Sequence, residues 1–380
     1  MKHIAILTEA RSSFSYFRPI VREIDADPSL RYSLIVTNQH LLPTFGYSIE
    51  EITREGLNVT DRIYATLDGY TPPTMCKSLG VFLLGMTDAL VRLEPDIVLV
   101  LGDRGDSLMA ALAAAHMNIP VAHIQAGERS GNIDGMTRHA ITRYAHIHFT
   151  SGEDAAERLR RMGEDDWRIH LTGAPQLDEL VNGSHASPQE IAEQLGIDMS
   201  EPVVVVLQHP VTEDFGNSVD QMRETLEAVC ELALPTVLIF PNSDAGSEDM
   251  RSLIERYHRP FMTIQRNLPH SVYSGLMRVA SVLVGNSSSG LIEAPALGLP
   301  AVNVGDRQRD RVRGANVIDV PYDRQAILQA VRHALSPEFR QTVRNAPSPY
   351  IGDGNVAGRI VDVLRSLEID ERLLKKQITY

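Results

Sequence analysis

The chain has 380 residues, of which 43% are hydrophobic, and its 36 basic against 49 acidic side chains give a formal net charge of −13. That length is too great for one small core and fits two domains of ordinary size, while the negative balance argues against general nucleic-acid or anionic-membrane binding. Any anionic ligand must therefore meet a local cluster of cations.

Short apolar runs alternate with amphipathic stretches from end to end, which predicts βα units around parallel sheets, an α/β class. The first half offers strands at His3–Thr8, Tyr32–Val36, Ile97–Leu101, Val121–Ile124 and His146–Thr150. Val203–Leu207, Thr236–Phe240, Met262–Ile264, Val282–Val284, Ala301–Val304 and Val317–Val320 follow in the second. Helical spacing marks stretches between them, among them Phe17–Asp25, Asp106–His116, Val219–Leu232 and Arg324–Leu335, and a last amphipathic helix from about Asn355 to Leu374. The polar segment within Gln176–Pro202 reads as the interdomain connection, giving domains at 1–176 and 177–354, with the C-terminal 355–380 packing back on the first. Two doubly wound domains facing across a cleft place their ligand at the carboxyl ends of the strands.

Cys76 and Cys230 stand far apart, so neither a disulfide framework nor a zinc site is expected, and no other His, Cys or carboxylate set has metal spacing. The N-terminal apolar run is too short for a signal peptide, and no segment is expected to reach the roughly 18 apolar residues of a membrane span. These readings predict a cytoplasmic protein without metal or other cofactor.

The loops after the strands carry the chemistry. Arg11 follows the first strand, in a turn without the spacing of a dinucleotide fingerprint. Asp103 and Arg104 end the third predicted strand, either as a local salt bridge or as members of an active site. In HIQAGERSGNIDGMTRHAITR, Gln125, Glu128, Asp134 and their ionisable neighbours crowd a glycine-rich loop, and carboxylates gathered there with Asp103 would suit proton transfer. His209 follows a strongly apolar strand. Asn242, Ser243 and Asp244, taken singly, read as a cap for the next helix.

Gly285–Gly314 is the most informative stretch. A small-residue turn with Ser287 and Ser288 opens a helix, whose N-terminus is an anion site, and Glu293 can accept hydrogen bonds from a hydroxyl pair such as a ribose. Pro295 predicts that this helix is short or kinked. Arg307, Arg309, Arg311 and Arg313 alternate, which in an extended segment would put four guanidinium groups on one face. Arg307 is expected to meet phosphate, with Arg309 and Arg311 left to a solvated loop. The plain alternative for the whole stretch is a capped helix followed by a solvated basic loop.

Taken together, GDR, HIxxGE followed by GNID and RHAIT, then LQHPVT, FPNSDAGS, GNSSSGLIEAP and GDRQ…R…RG resemble one family in order across nearly the whole chain, the hydrolysing UDP-N-acetylglucosamine 2-epimerases. The resemblance implies two Rossmann-like domains in the glycosyltransferase-B arrangement, a homodimer, and a UDP-sugar substrate. It also implies anti elimination of UDP to a 2-acetamidoglucal, then syn hydration to free N-acetylmannosamine. By the same resemblance Asp103 and Asp134 are catalytic, and His209 lies near the leaving diphosphate. Ser287 and Ser288 match phosphate or uridine contacts, and Glu293 matches the ribose-binding carboxylate. Arg11, Arg104, Asn242, Arg307 and Arg313 fall at positions lining the nucleotide.

Two departures stand out. Gln125 occupies a position where the family often has a glutamate, so either Glu128 takes part in proton transfer or Gln125 only orients the sugar. The opening loop has Ser13 where many relatives carry an acid, which suggests altered sugar selectivity, including a 4-acetamido-6-deoxy substrate. A non-hydrolysing 2-epimerase and a nucleotide-sugar-binding protein without turnover are the alternatives, the second kept open by Gln125.

Overall fold

The computed structural model describes residues 1–68, 71–131 and 133–379. Seven strands build the first sheet: β1 Lys2–Thr8, β2 Leu30–Thr37, β3 Val59–Ile63, β4 Ile97–Leu101, β5 Val121–Ile124, β6 Ile147–Thr150 and β7 Ile169–Leu171. Six build the second: β8 Val204–Leu207, β9 Thr236–Ile239, β10 Met262–Gln265, β11 Val282–Gly285, β12 Ala301–Val304 and β13 Val317–Val320. The orders are β3-β2-β1-β4-β5-β6-β7 and β10-β9-β8-β11-β12-β13, and every pairing between them is parallel. Both reverse direction of strand order beside their first strand, β1/β4 in one and β8/β11 in the other, where a doubly wound sheet opens a crevice. Central strands such as Ile97–Leu101 are apolar throughout because helices cover both faces.

Helices Arg11–Ala26 and Val356–Ser366 cover one face of the first sheet, sharing a core in which Phe14, Phe17 and Ile20 meet Ile360 and Leu364. The C-terminal helical region is not one helix to Leu374. It breaks at Leu367 and restarts at Glu371, where the Asp370 carboxylate accepts from the Leu373 N–H at 2.8 Å. The segment read as the interdomain connection contains regular structure. It forms helices Gln176–Asn182 and Pro188–Leu195, the latter capped by Ser187, and Ile191 and Leu195 enter the second domain's core.

The other face of the first sheet carries helices Pro72–Leu93, Gly105–His116 and Ile133–Tyr144. Contrary to the expectation that no segment reaches membrane-spanning length, Pro72–Leu93 has 22 residues and a mean hydropathy of 1.3 over its most apolar window, only 22% of which is buried. Phe82, Met86, Ala89 and Leu90 pack inward, whereas Val81, Leu84 and Val91 stand exposed.

Candidate active site

The cleft between the sheets is walled by the loops after β1, β4 and β5 on one side and after β8, β9, β11 and β12 on the other. Arg11, Arg104, Asp103, Gln125, Asp134, His209, Asn242, Ser287, Ser288, Glu293 and Arg307 all line it. Asn132, in the GNID motif, lies outside the described residues.

Asp103 lies two residues past β4 and is held from behind. Its Oδ2 accepts from the fully buried Arg138 and from the Ser130 hydroxyl at 3.3 Å, while Arg138 also donates to the Gln125 carbonyl at 2.8 Å. One guanidinium thus fixes the carboxylate relative to the loop after β5. Of the two readings left open for Asp103 and Arg104, the local salt bridge does not form: Asp103 pairs with Arg138 and Arg104 with Asp244.

Asp134 opens the helix Ile133–Tyr144, and Arg307 of the opposite domain approaches its Oδ2 at 3.6 Å. Burial, with Asp103 adding repulsion and Arg307 opposing, pushes its carboxyl up to about 6. A carboxyl that titrates near neutrality in a closed cleft is suited to taking and returning a proton.

Arg104 reaches across to Asp244 Oδ1 at 2.5 Å, and Arg307 lies 4.0 Å from Asp244 Oδ2. Although burial disfavours its charge, Asp244 is held below the ordinary carboxylate range by these two guanidiniums. Asn242 Nδ2 donates to Asp244 Oδ2 at 2.6 Å. The reading of Asp244 as a helix cap is therefore corrected: the helix Ser247–Ile254 begins at Gly246, and Asp244 spends its side chain on the cleft cations.

His209 is fixed in one tautomer. Its Nδ1 accepts from the Asn242 backbone N–H at 3.1 Å, which leaves the proton on Nε2. Burial and the nearby Arg307 push it down to about 3, so it is a neutral hydrogen-bond donor at physiological pH. Asn286 clamps the same residue, accepting from His209 N at 2.7 Å and donating to its carbonyl at 2.9 Å.

Gln125 is buried, with φ +61°, and its Nε2 donates to the Tyr16 hydroxyl at 3.0 Å. Glu128, the other candidate at this departure, stands outside the cleft wall as the buried partner of Arg311. Here the expectation of a solvated Arg311 fails. The segment after β12 is a turn, not an extended strand, so the four arginines diverge. Arg307 and Arg311 face the cleft, and Arg309 pairs with Asp306 in solvent. Arg313, expected at the nucleotide, instead bridges to Asp319 at 2.8 Å outside the cleft wall.

At the opposite end of the cleft, β11 stops at Gly285, whose φ is +133° and where a Cβ would overlap the Leu207 carbonyl oxygen. The chain then turns into the short helix Ser288–Gly290, with Ser287 Oγ accepting from Ser289 N at 3.3 Å. As Pro295 predicts, the next helix is only Glu293–Ala296. Burial pushes the Glu293 carboxyl up to about 7 despite Arg311 and the Ser289 hydroxyl, and its Oε2 has no hydrogen-bond partner among the described residues. Arg11 is engaged by Glu51 at 2.7 Å and by the Leu268 carbonyl of the other domain.

Sequence reasoning missed Glu9, Tyr16, Ser130 and Gln308, all in the cleft wall. Strand-end position marked Glu9, and Ser130 and Gln308 lie inside the GERSGNID and GDRQ motifs, whereas Tyr16 has no local signal.

The match to known proteins decides the family. The model of the UDP-N-acetylglucosamine 2-epimerase family matches residues 22–365. The chain belongs to that family. It is a UDP-sugar 2-epimerase in the glycosyltransferase-B arrangement, as the motif resemblance anticipates. Among its relatives, the epimerase is 34% identical, over the whole of both chains, to a Legionella pneumophila protein named UDP-N,N'-diacetylbacillosamine 2-epimerase (hydrolyzing). It is 32% identical to the UDP-N-acetylglucosamine 2-epimerase of Neisseria meningitidis, over 88% of each chain. A Neisseria meningitidis UDP-GlcNAc 2-epimerase structure bound to UDP-GlcNAc superposes with a TM-score of 0.78 at 20% identity, covering 96% of the epimerase and 99% of that chain.

Proposed function

We propose that the epimerase is of the hydrolysing type: it takes a UDP-linked 2-acetamido hexose and releases UDP and the free C2 epimer. The observation that carries this reading is the pairing of two carboxylates, Asp103 and Asp134, with a cationic cluster and a neutral His209 in one interdomain cleft. A base at Asp134 removes the C2 proton. Those C–H electrons become the C1=C2 bond as the C1–O bond breaks, and its electron pair leaves with UDP. His209 Nε2–H and Arg307 meet the charge that develops on the diphosphate. Water then adds its oxygen to C1 while a proton returns to C2 on the same face, inverting that carbon. Asp103, fixed by Arg138, shares the proton traffic, and Gln125 orients the sugar because an amide does not titrate. Ser287, Ser288 and Glu293 hold the nucleotide, with Arg104 and Asn242 positioning the phosphates.

The names of the Legionella pneumophila relative and of one from Campylobacter jejuni, 30% identical over 90% of the chain, both include hydrolysis and a diacetamido sugar. Together with Ser13 in place of an acid, this favours a UDP-2,4-diacetamido-6-deoxy hexose over UDP-N-acetylglucosamine. Chromatography of both substrates after incubation with the purified chain tests the reading. Release of free UDP, faster from the diacetamido sugar, is expected; UDP that stays attached to an epimerised sugar would establish the non-hydrolysing reaction instead.

The exposed apolar face of Pro72–Leu93, with Val81, Leu84 and Val91, belongs in this proposal to a homodimer contact in a cytoplasmic enzyme.

A further inference from the structure

Glu9 directly follows the first strand and lies in the cleft wall, yet the mechanism above leaves it unused. Its side chain is 3% exposed, and its Oε2 has no hydrogen-bond partner among the described residues. A buried polar atom without a partner is costly, so a site that tolerates one in its wall is expected to satisfy it with ligand. The surroundings place it at the sugar end. Arg104, which spans to Asp244, and Asp106 of the helix Gly105–His116 are the cation and the anion that act on its carboxyl. Ser287, Ser288 and Glu293 hold the far end on the other domain.

We propose that Glu9 is a sugar-recognising residue, whose carboxyl hydrogen-bonds a polar substituent of the hexose ring, most fittingly the carbonyl of a second acylamino group. Burial first, then Asp106, with Arg104 opposing, pushes the Glu9 carboxyl up to about 8, so near pH 7 it carries a proton. A neutral acid donates to an amide carbonyl, whereas an ionised carboxylate accepts only and would repel it. Four residues on, the Ser13 hydroxyl donates to the Ala10 carbonyl at 2.7 Å and also acts on the Glu9 carboxyl. This inference rests on the reading of the cleft as a UDP-hexosamine site.

The test compares the full chain with Glu9→Gln and Glu9→Met, measuring kcat and KM for UDP-2,4-diacetamido-6-deoxy hexose and UDP-N-acetylglucosamine, and Kd for UDP by calorimetry. Glu9→Met, matched in volume but without a donor, is expected to raise KM for the diacetamido substrate about tenfold. KM for UDP-N-acetylglucosamine should move less, and kcat and the UDP Kd should stay within about threefold. Glu9→Gln retains a donor and should remain near the native values. An unchanged KM in Glu9→Met overturns the proposal, as does a collapse of kcat in both variants, which would make Glu9 a proton-transfer group. Should Glu9→Met fail to hold UDP, Glu9→Asp, one methylene shorter, is read by the same criterion. If the native chain binds UDP but turns over neither sugar, the hydrolysing reading fails on its own. The Glu9 proposal is then judged from the ratio of UDP-sugar to UDP Kd in the same variants.

Discussion

Asp134 shows how a carboxylate becomes reactive through its neighbours. Burial and Asp103 both disfavour its charge, and Arg307 limits the effect, leaving a group that titrates near 6. Acting as a base it must be ionised, so kcat/KM is expected to fall as pH drops through about 6, a unit or more above where an ordinary aspartate loses its charge. Asp134→Asn and Asp103→Asn should each lower kcat about 10²-fold or more with little change in UDP affinity. The acid limb of the profile should vanish from the residual rate of Asp134→Asn. Native-like turnover in either variant, or an unshifted limb, would remove that carboxylate from the mechanism. His209 makes the complementary case: a hydrogen bond into Nδ1 fixes a donor on Nε2 without adding a charge.

At the scale of elements, the central strands were legible because apolar runs ending at Leu101, Leu207 or Gly285 have no other explanation than a doubly covered sheet. The edge strands β3 and β7 left no such signal. Val59–Ile63 alternates exposed and half-buried residues and contains Asp61 and Arg62, and Ile169–Leu171 is only three residues long. The helix Arg11–Ala26 begins six residues before the predicted start at Phe17, because Ser12 and Ser13 in its first turn face the cleft. The motif positions for Asp103, Asp134 and His209 did fall in one cleft, whereas the side of the turn on which each arginine emerges depended on φ and ψ values that no spacing rule supplies. Gly285 tests the packing of these elements directly. Gly285→Ala puts a Cβ against the Leu207 carbonyl at a backbone φ that favours glycine. A loss of about 2 kcal/mol or more is expected, seen as a melting temperature lower by about 4 °C or more, together with weaker UDP binding. An unchanged melting temperature would show that β8 and β11 can separate there without penalty.

For the whole molecule, the two domains meet through an apolar cluster of Ala174, Leu177, Leu180 and Ile292 and, in the cleft itself, through polar contacts. Arg104–Asp244, the buried Arg311–Glu128 pair, Gln39 to Ser243 at 2.9 Å and the Gly131 N–H to the Arg307 carbonyl at 3.2 Å all cross the cleft. Side chains that bind the substrate in the proposed mechanism therefore also hold the domains together. A ligand that takes over Arg104 or Arg307 must release an interdomain pair, which links nucleotide binding to domain position. The apolar outer face of Pro72–Leu93 belongs to the same scale. Leu84→Glu with Val91→Glu is expected to convert a dimer to a monomer by light scattering while leaving the fold intact; a native chain that is already monomeric would refute the contact.

The central claim is that the cleft breaks the C1–O bond by elimination and hands the sugar to water. Proton NMR of the native chain acting on a UDP-hexosamine in D2O reads this directly. The account predicts free UDP and a free sugar epimerised at C2, with one solvent deuterium on that carbon in the first product formed. A C2-epimerised sugar still joined to UDP, or a free sugar that retains its original C2 hydrogen, would contradict it.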